Sequence, residues 1–187
     1  KNNEVTHYPE FGSVAFDYFI DQIGRIWVSQ QNRITIFNPI SNHYQHLTAE
    51  SQNCSALGDY VFGMSYDEKR KCAWACTPSG LCRIDDTTFE TRHLIQFPKQ
   101  NYFDVQVDIH GNVWFYSLNG LTGYQPESGN SVFFRNQDMM YASPGDYAKI
   151  ITLPDGRMVL TTIGGVCIVN APDLIINREI ELPVEFT

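Results

Sequence analysis

The sequence predicts an all-β fold, a β-propeller of four blades that are each a four-stranded antiparallel sheet, as part of a larger propeller. Three observations predict it. The 187-residue chain contains four imperfect repeats, each repeat has one strongly apolar strand, and no stretch has sustained helical periodicity. A β-sandwich would not repeat one four-strand signature, and the coils of a parallel β-helix are shorter than these repeats. A propeller therefore fits best.

The repeats align on one anchor position, occupied by Trp27, Trp74, Trp114 and Val159. The anchors recur about every 44 residues, which is the length of one propeller blade. The predicted blades are approximately residues 13–47, 59–94, 102–134 and 147–172, and residues 173–187 are expected to begin a linker to a following module.

A tight turn precedes each anchor strand. It contains Asp and Gly in most repeats, as in Asp108 and Gly111, because Gly accepts positive φ and Asp can bond the turn backbone. The second repeat lacks the glycine and has the segment Glu68–Lys71 instead. A later turn has Asn32 where the other repeats have glycine, and Asn tolerates the left-handed conformation.

The anchor strands are apolar at consecutive positions rather than at alternate ones. Ile26–Val28 and Val113–Phe115 are examples. This pattern indicates burial on both faces, as expected for a sheet that is packed between two others.

The charge balance excludes some classes of partner. Thirteen basic and 21 acidic side chains give a net charge of −8. Nucleic-acid binding relies on neutralisation of phosphates by Lys and Arg, so no nucleic-acid partner is expected, nor a polybasic membrane patch.

The five cysteines form no metal-binding pattern. If residues 71–76 and 81–84 are neighbouring strands, Cys76 lies opposite Leu81, and Cys82 points to the other face from Cys76. A disulfide within this hairpin is therefore not expected. Cys82 and Cys167 occupy equivalent places in their repeats, which favours a small apolar core position.

Two segments, Asp21–Pro39 and Asp108–Pro126, resemble the two-component regulator propeller repeat. Its pattern runs Asp-x-x-Gly-x-Ile-Trp and then Gly-x-x-x-aromatic-Asn/Asp-Pro. This resemblance implies an extracytoplasmic, periplasmic sensor region of a bacterial hybrid histidine kinase. Many kinases of this family are similar to sensors of oligosaccharides. The segments Gly164–Asp173 and Leu182–Thr187 resemble a last blade that runs into an immunoglobulin-like module. The expected partners are therefore the remaining blades, that module and a possible oligosaccharide.

A four-repeat segment would expose sheet faces at both ends. Glu4–Tyr8 resembles a fourth strand without its own blade. Val5–Tyr8 could complete the last blade and close a four-bladed ring, or two chains could pack their open ends together. Some self-association is therefore expected.

The connections from the outer strand of one blade to the inner strand of the next are the candidate ligand loops, because functional residues favour loops on a rigid scaffold. Each runs into an aromatic residue beside an acid. Sugar recognition uses aromatic faces against C–H groups and carboxylates against hydroxyls. The alternative is ordinary packing of aromatics around the channel. The candidate ligand-binding residues are Asp59, Tyr60, Tyr102, Phe103, Tyr141, Asp146 and Tyr147.

No catalytic constellation, metal site or cofactor motif is recognisable, and the segment is expected to be non-catalytic. Two alternatives remain open. The repeat also resembles streptogramin lyase propellers, whose metal-assisted chemistry needs a channel histidine, and no histidine here falls in an expected inner strand. The other alternative is a pure protein-interaction scaffold.

Overall fold

The computed structural model describes Thr6 and residues 8–12, 14–135, 148–162 and 165–169. A short 3-10 helix at Pro9–Phe11 comes first. The strands that follow are β1 (Ala15–Ile20), β2 (Ile26–Gln30), β3 (Arg33–Asn38), β4 (His43–Leu47), β5 (Gly63–Asp67), β6 (Cys72–Thr77), β7 (Gly80–Asp85), β8 (Thr91–His93), β9 (Asp104–Val107), β10 (Val113–Ser117), β11 (Gly120–Tyr124), β12 (Ser131–Arg135), β13 (Ile150–Thr152), β14 (Met158–Thr162) and β15 (Gly165–Val169).

The strands form four separate antiparallel sheets in simple sequential order. Blade 1 contains β1 to β4, blade 2 contains β5 to β8, and blade 3 contains β9 to β12. Blade 4 contains β13 to β15 within the described residues. The chain is a four-bladed β-propeller, which confirms the fold class predicted from the repeats.

Consecutive blades pack face to face through three apolar clusters. Trp27 lies against Ala73 and Ala75 of blade 2. Trp74 lies against residues of blade 3, and Trp114 packs on Met158 of blade 4. Each anchor tryptophan is buried and points towards the next blade along the chain. The expected burial of both faces of the anchor strands is confirmed.

One buried hydrogen bond recurs in blades 1 to 3 and explains the spacing of Asp and Trp. The indole Nε1–H donates to the turn aspartate, from Trp27 to Asp21 Oδ2 at 2.9 Å and from Trp114 to Asp108 Oδ2 at 2.9 Å. The bond in blade 2 joins Trp74 and Asp67 at 3.2 Å. The indole body is thus buried while its polar N–H is satisfied.

The second oxygen of each aspartate holds the turn itself. Asp108 Oδ1 accepts the backbone N–H groups of His110 and Asn112 at 2.8 and 2.9 Å. Asp21 Oδ1 accepts those of Ile23 and Arg25 in the same way. One carboxylate therefore satisfies the turn backbone and fixes the indole behind it.

These hydrogen bonds shift the carboxyl titration. Burial raises the pKa of Asp21, but the hydrogen bonds from Trp27 and Arg25 outweigh burial, and the pKa lies below its ordinary value.

An arginine side chain of the turn contacts the following blade. Arg25 Nη2 donates to Asp86 O at 2.7 Å, and Arg70 Nη1 donates to Gly111 O at 2.8 Å.

Two non-glycine residues of the turns have a positive φ. Asn32 has φ of 65°. It does not replace the glycine as predicted, because the strand register aligns Arg33, opposite Gln30, with Gly120, opposite Ser117. Lys71 has φ of 50°, where Gly111 has 80°. Lys71 therefore takes the left-handed conformation of Gly111, in a turn that is one residue longer between its aspartate and its tryptophan.

The cysteine predictions are confirmed for the described residues. Cys76 pairs with Leu81, and Cys82 packs in a different cluster from Cys72 and Cys76. All five thiols are free. Burial raises the pKa of the Cys82 thiol to about 12, so it remains protonated and unreactive.

The two ends of the propeller depart from the inner blades. Tyr8 and Phe11 place their rings on Phe37 of blade 1, with centroids 5.1 and 6.0 Å away. Val5 and His7 of the predicted closing strand, all of residues 136–147 and the predicted linker 173–187 lie outside the described residues. Closure of a ring by Val5–Tyr8 stays a prediction.

Replacing Asp108 with Ala should lower the free energy of unfolding by about 3 kcal/mol, because it leaves the buried Trp114 N–H and two turn N–H groups without an acceptor. Urea denaturation followed by tryptophan fluorescence measures the change.

Asp155→Ala is the matched control, since Asp155 occupies the equivalent turn of blade 4 but is exposed and pairs only with Arg157 among the described residues. It should lower the free energy of unfolding much less than Asp108→Ala does, because an exposed ion pair contributes little. Equal losses in the two variants would contradict the role assigned to the indole bond.

Candidate ligand site at the mouth of the central channel

Four equivalent positions, one from each blade, converge where the inner strands begin. In each blade, one residue of the inner strand pairs with the anchor residue on the neighbouring strand. The position in question lies two residues before that inner-strand residue. Phe19 pairs with Trp27 and Gln106 pairs with Trp114, which places Asp17 and Asp104 at this level. The remaining two members are Gly63 and Lys149. We call these four residues the polar tier.

The polar tier is held together by an ion pair that joins three blades. Lys149 Nζ lies 3.2 Å from Asp17 Oδ2 and 3.2 Å from Asp104 Oδ1. Each carboxylate also accepts a backbone N–H from the next blade, Met64 to Asp17 at 3.0 Å and Ile150 to Asp104 at 2.8 Å. These contacts fix both carboxylates in place.

Gly63 makes room for this arrangement. A Cβ atom at Gly63 would lie 2.6 Å from Asp104 Oδ1 and 2.8 Å from Asp104 Cα. A larger residue at position 63 would therefore displace the Asp104 backbone. Gly63 of blade 2 thus stands between the aspartates of blades 1 and 3 without adding a side chain.

Burial shifts the titration of the polar tier. It raises the pKa of Asp104 to about 6, although Lys149 and the N–H of Ile150 act in the opposite direction. Burial lowers the pKa of Lys149, but Asp104 and Asp17 outweigh it, and the net pKa is raised. Lys149 is thus a permanent cation beside a carboxyl that can titrate.

Aromatic residues adjoin the polar-tier positions in the chain and contact one another. Phe16, Phe62 and Phe103 immediately precede the polar-tier positions of their blades. With Tyr60 they form the aromatic tier. Tyr60 and Phe62 stack with centroids 5.8 Å apart and planes 9° from parallel, and Phe62 lies 5.7 Å from Phe103.

Two local features position the exposed rings. The register of β1 shifts between Ala15 and Asp17, so Phe16 occupies a bulge, which re-aims its side chain. Tyr60 pairs with Gln31 in an isolated bridge, and the Gln31 Nε2 group donates to the Tyr60 hydroxyl at 3.1 Å. Phe16 and Tyr60 each remain more than a third exposed.

A cavity of about 480 Å³ continues from the polar tier along the inner strands. All four blades contribute to its wall. The lining residues are Asp17, Tyr18, Phe19, Ile20, Met64, Ser65, Tyr66, Glu68, Asp104, Gln106, Lys149, Ile150 and Ile151. The wall combines apolar groups with fixed carboxylates and one ammonium, which is the usual composition of a site for a polar organic ligand.

The predicted site residues separate into three groups. Tyr60 and Phe103 belong to the aromatic tier, and Asp59, next to Tyr60, is exposed. Tyr102 instead is 2% exposed and packs edge-on against Phe115 at 4.9 Å. Its hydroxyl donates to Pro98 O at 3.2 Å, so this ring belongs to the core between blades 2 and 3. The other three predicted residues, Tyr141, Asp146 and Tyr147, lie outside the described residues.

Sequence reasoning missed the polar tier as a unit. A signal existed in the dipeptides Phe16-Asp17, Phe62-Gly63, Phe103-Asp104 and Ala148-Lys149, which occupy the same position of each repeat. The side chains at this position differ in charge, so a search for similarity between the repeats passes over it.

Within the part of the chain that the structure describes, no group of three or more His, Cys, Asp or Glu side chains is placed to hold a metal ion. His43 and His46 lie on β4, His93 lies on β8, and His110 lies in a turn. These four histidines are therefore all outside the inner strands.

Solved structures with the same fold include extracellular domains of two-component systems. The extracellular domain of BT3049 from B. thetaiotaomicron, described as a hybrid two-component system, matches with a TM-score of 0.68 at 15% identity over 98% of this chain and 28% of its own. That of BT4673 from the same organism matches with a TM-score of 0.67 at 16% identity over 83% of this chain and 21% of its own.

An enzyme shares the fold as well. Virginiamycin B lyase from Staphylococcus aureus matches with a TM-score of 0.63 at 16% identity over 83% of this chain and 51% of its own. No family model and no curated protein sequence matches the chain. At these identities the likeness establishes the propeller fold, and the chain spans between about a fifth and a half of the length of these structures.

Titration of Asp104 should make stability depend on pH between about 4 and 6. In this window the unfolded chain loses the Asp104 proton while the folded chain retains it, so this residue lowers the free energy of unfolding as pH rises. Urea denaturation at several pH values, for the wild type and for Asp104→Asn, measures the effect.

The wild type should lose stability relative to Asp104→Asn as pH rises from 4 to 6. A difference between the two proteins that stays constant or moves in the wild type's favour across that window would contradict the assignment.

Proposed function

We propose that this chain is a non-catalytic, ligand-sensing propeller segment of a bacterial two-component sensor kinase, and that it binds an oligosaccharide at the mouth of the central channel. The observation that carries the proposal is the polar tier, in which fixed carboxylates and an ammonium from three blades meet. The aromatic tier adjoins it in the chain, with Tyr60 and Phe62 stacked on each other.

The two tiers offer complementary chemistry to a sugar. The exposed faces of Phe16 and Tyr60 suit the C–H surface of a pyranose ring. Carboxylate oxygens accept hydrogen bonds from sugar hydroxyls, and the Lys149 ammonium donates to them. Since Asp17 and Asp104 are already held by backbone N–H groups, they would change little on binding, which reduces the entropic cost.

The sensor role is supported by the shared fold of the extracellular domains of BT3049 and BT4673. Within the described residues no helix is long and apolar enough to cross a membrane. We place the segment in the periplasm, with the remaining blades, an immunoglobulin-like module and the kinase elsewhere in the parent protein. The bound ligand would act on those parts, so the chain itself needs no catalytic group.

A propeller lyase is the second candidate, supported by the shared fold with virginiamycin B lyase. The position of the four described histidines, on outer strands and in a turn, favours the sensor over a histidine-dependent eliminase.

Titration calorimetry against a panel of neutral and acidic di- to hexasaccharides tests the proposal. At least one of these sugars should bind without being converted. Tyr60→Ala should lower the affinity for that sugar at least about tenfold, because it removes the stacking face. Phe133→Ala removes a similarly exposed ring from the outer strand β12 and should leave affinity unchanged.

The proposal fails if no oligosaccharide binds, or if Tyr60→Ala and Phe133→Ala bind the sugar equally well. Metal-dependent turnover of a bound compound would favour the lyase instead.

A further inference from the structure

A second cavity lies between blades 1 and 2, near the turns that precede their anchor strands. Its volume is about 450 Å³, a size that is common among sites for small molecules. It shares no lining residue with the cavity at the polar tier. Its walls come from blades 1 and 2, whose four strands are all described. We call it the interblade cavity.

Two residues of its blade-2 wall have an unusual backbone conformation. Lys71 has φ of 50° and Phe89 has φ of 58°. A residue with a bulky side chain rarely adopts this left-handed region, because its Cβ comes close to the following carbonyl oxygen. Each residue therefore costs free energy at its position. Strained positions of this kind cluster at binding sites.

Other blades have less strained residues at the same two positions. Three residues before the anchor, Gly111 of blade 3 stands where blade 2 has Lys71. In the turn before the outer strand, Phe89 and Gly129 each donate the backbone N–H to the carbonyl four residues earlier, at 3.0 and 2.9 Å. Blade 1 has Asn42 there, with φ of 53°. Among blades 1 to 3, blade 2 alone has bulky side chains at both positions, and both line the interblade cavity.

An arginine of the blade-1 turn lines the same cavity. The Arg25 side chain is 16% exposed, and it is held by Asp21 Oδ2 at 2.5 Å and by Asp86 O at 2.7 Å. Its Cζ lies 5.5 Å from the centre of the Phe89 ring. These hydrogen bonds use Nε and Nη2, so Nη1 has no hydrogen-bond partner among the described residues. The guanidinium is thus fixed in place but keeps free donors.

The acceptors of the cavity wall are largely used within the protein, whereas its donors are not. Asn38 Oδ1 accepts two backbone N–H groups of its own turn at 2.9 and 3.2 Å, which leaves the amide nitrogen as a donor. Each Asp86 oxygen accepts a hydroxyl, from Tyr66 and from Thr87. Lys71 forms no ion pair within the described part of the chain. The wall therefore offers a ligand mainly hydrogen-bond donors.

We propose that the interblade cavity binds an organic carboxylate with an apolar body. A carboxylate only accepts hydrogen bonds, and the Lys71 ammonium, the Arg25 guanidinium and the Asn38 amide can supply them. The apolar body packs on Phe89 and on Ile23, which is 66% exposed. The two strained residues thus supply the cation and the ring that such a ligand needs. This site is separate from the oligosaccharide site and does not depend on it.

NMR titration of the whole chain with phenylacetate and with hexanoate tests the proposal. The corresponding amides, phenylacetamide and hexanamide, are neutral counterparts of nearly the same shape. At least one acid should bind at least about tenfold more tightly than its amide, because only the acid can form charge-assisted hydrogen bonds with Lys71 and Arg25.

Lys71→Gly removes the cation and restores the glycine that blade 3 has at this position. It should lower the affinity for the acid at least about tenfold, whereas the midpoint of urea denaturation should not fall, because glycine adopts positive φ without strain. Lys69→Gln is the matched control. Lys69 lies in the same turn, but it pairs with Glu127 at 2.7 Å and is outside the cavity wall. This variant should bind the acid as the wild type does.

Asn38→Asp tests the site from the blade-1 wall. It keeps the oxygen that holds the turn, as Asp85 does at the equivalent position of blade 2. It replaces the free amide donor with a second carboxylate oxygen, so it should reduce the preference for the acid over the amide.

The proposal is overturned if neither acid binds, or if both bind no more tightly than their amides. It is also overturned if Lys71→Gly keeps the affinity of the wild type, or if Lys69→Gln lowers the affinity as much as Lys71→Gly does.

Discussion

The hydrogen bond from a buried indole N–H to the turn aspartate is the interaction on which the rest of this structure depends. It satisfies the single polar group of a side chain that otherwise fills the space between two blades. The same carboxylate holds the turn before the anchor strand, as Asp108 does for His110 and Asn112. Turn geometry, strand position and inter-blade packing are therefore set by one residue pair in each of blades 1 to 3.

The candidate site follows from this arrangement, because inner strands that are fixed at one end by the turns bring their other ends together at the channel. Asp17, Asp104 and Lys149 are distant in sequence but equivalent in register, and they meet in one ion pair. Isolated surface ion pairs contribute little, whereas this one joins three blades and is partly buried. It can serve both the cohesion of the propeller and the recognition of a polar ligand.

Much of the fold could be predicted from the sequence, because its signals are local. The anchor spacing, the Asp/Gly turns and the opposite orientation of Cys76 and Cys82 each depend on a few neighbouring residues and on strand alternation. The site was less predictable, because the polar tier depends on the register between blades. Tyr102 looked like a ligand contact beside Phe103, but its ring turns into the core against Phe115. Strand alternation separates the two neighbours, and the sequence does not show which of them faces the channel.

Hydrogen exchange at the three tryptophan indole N–H groups, followed by NMR, tests the central claim most directly. The account predicts that the indole protons of Trp27, Trp74 and Trp114 are all strongly protected and exchange only when the propeller unfolds, because each is buried and bonded to an aspartate. Exchange of these protons at the rate of a solvent-exposed indole in the folded protein would contradict it.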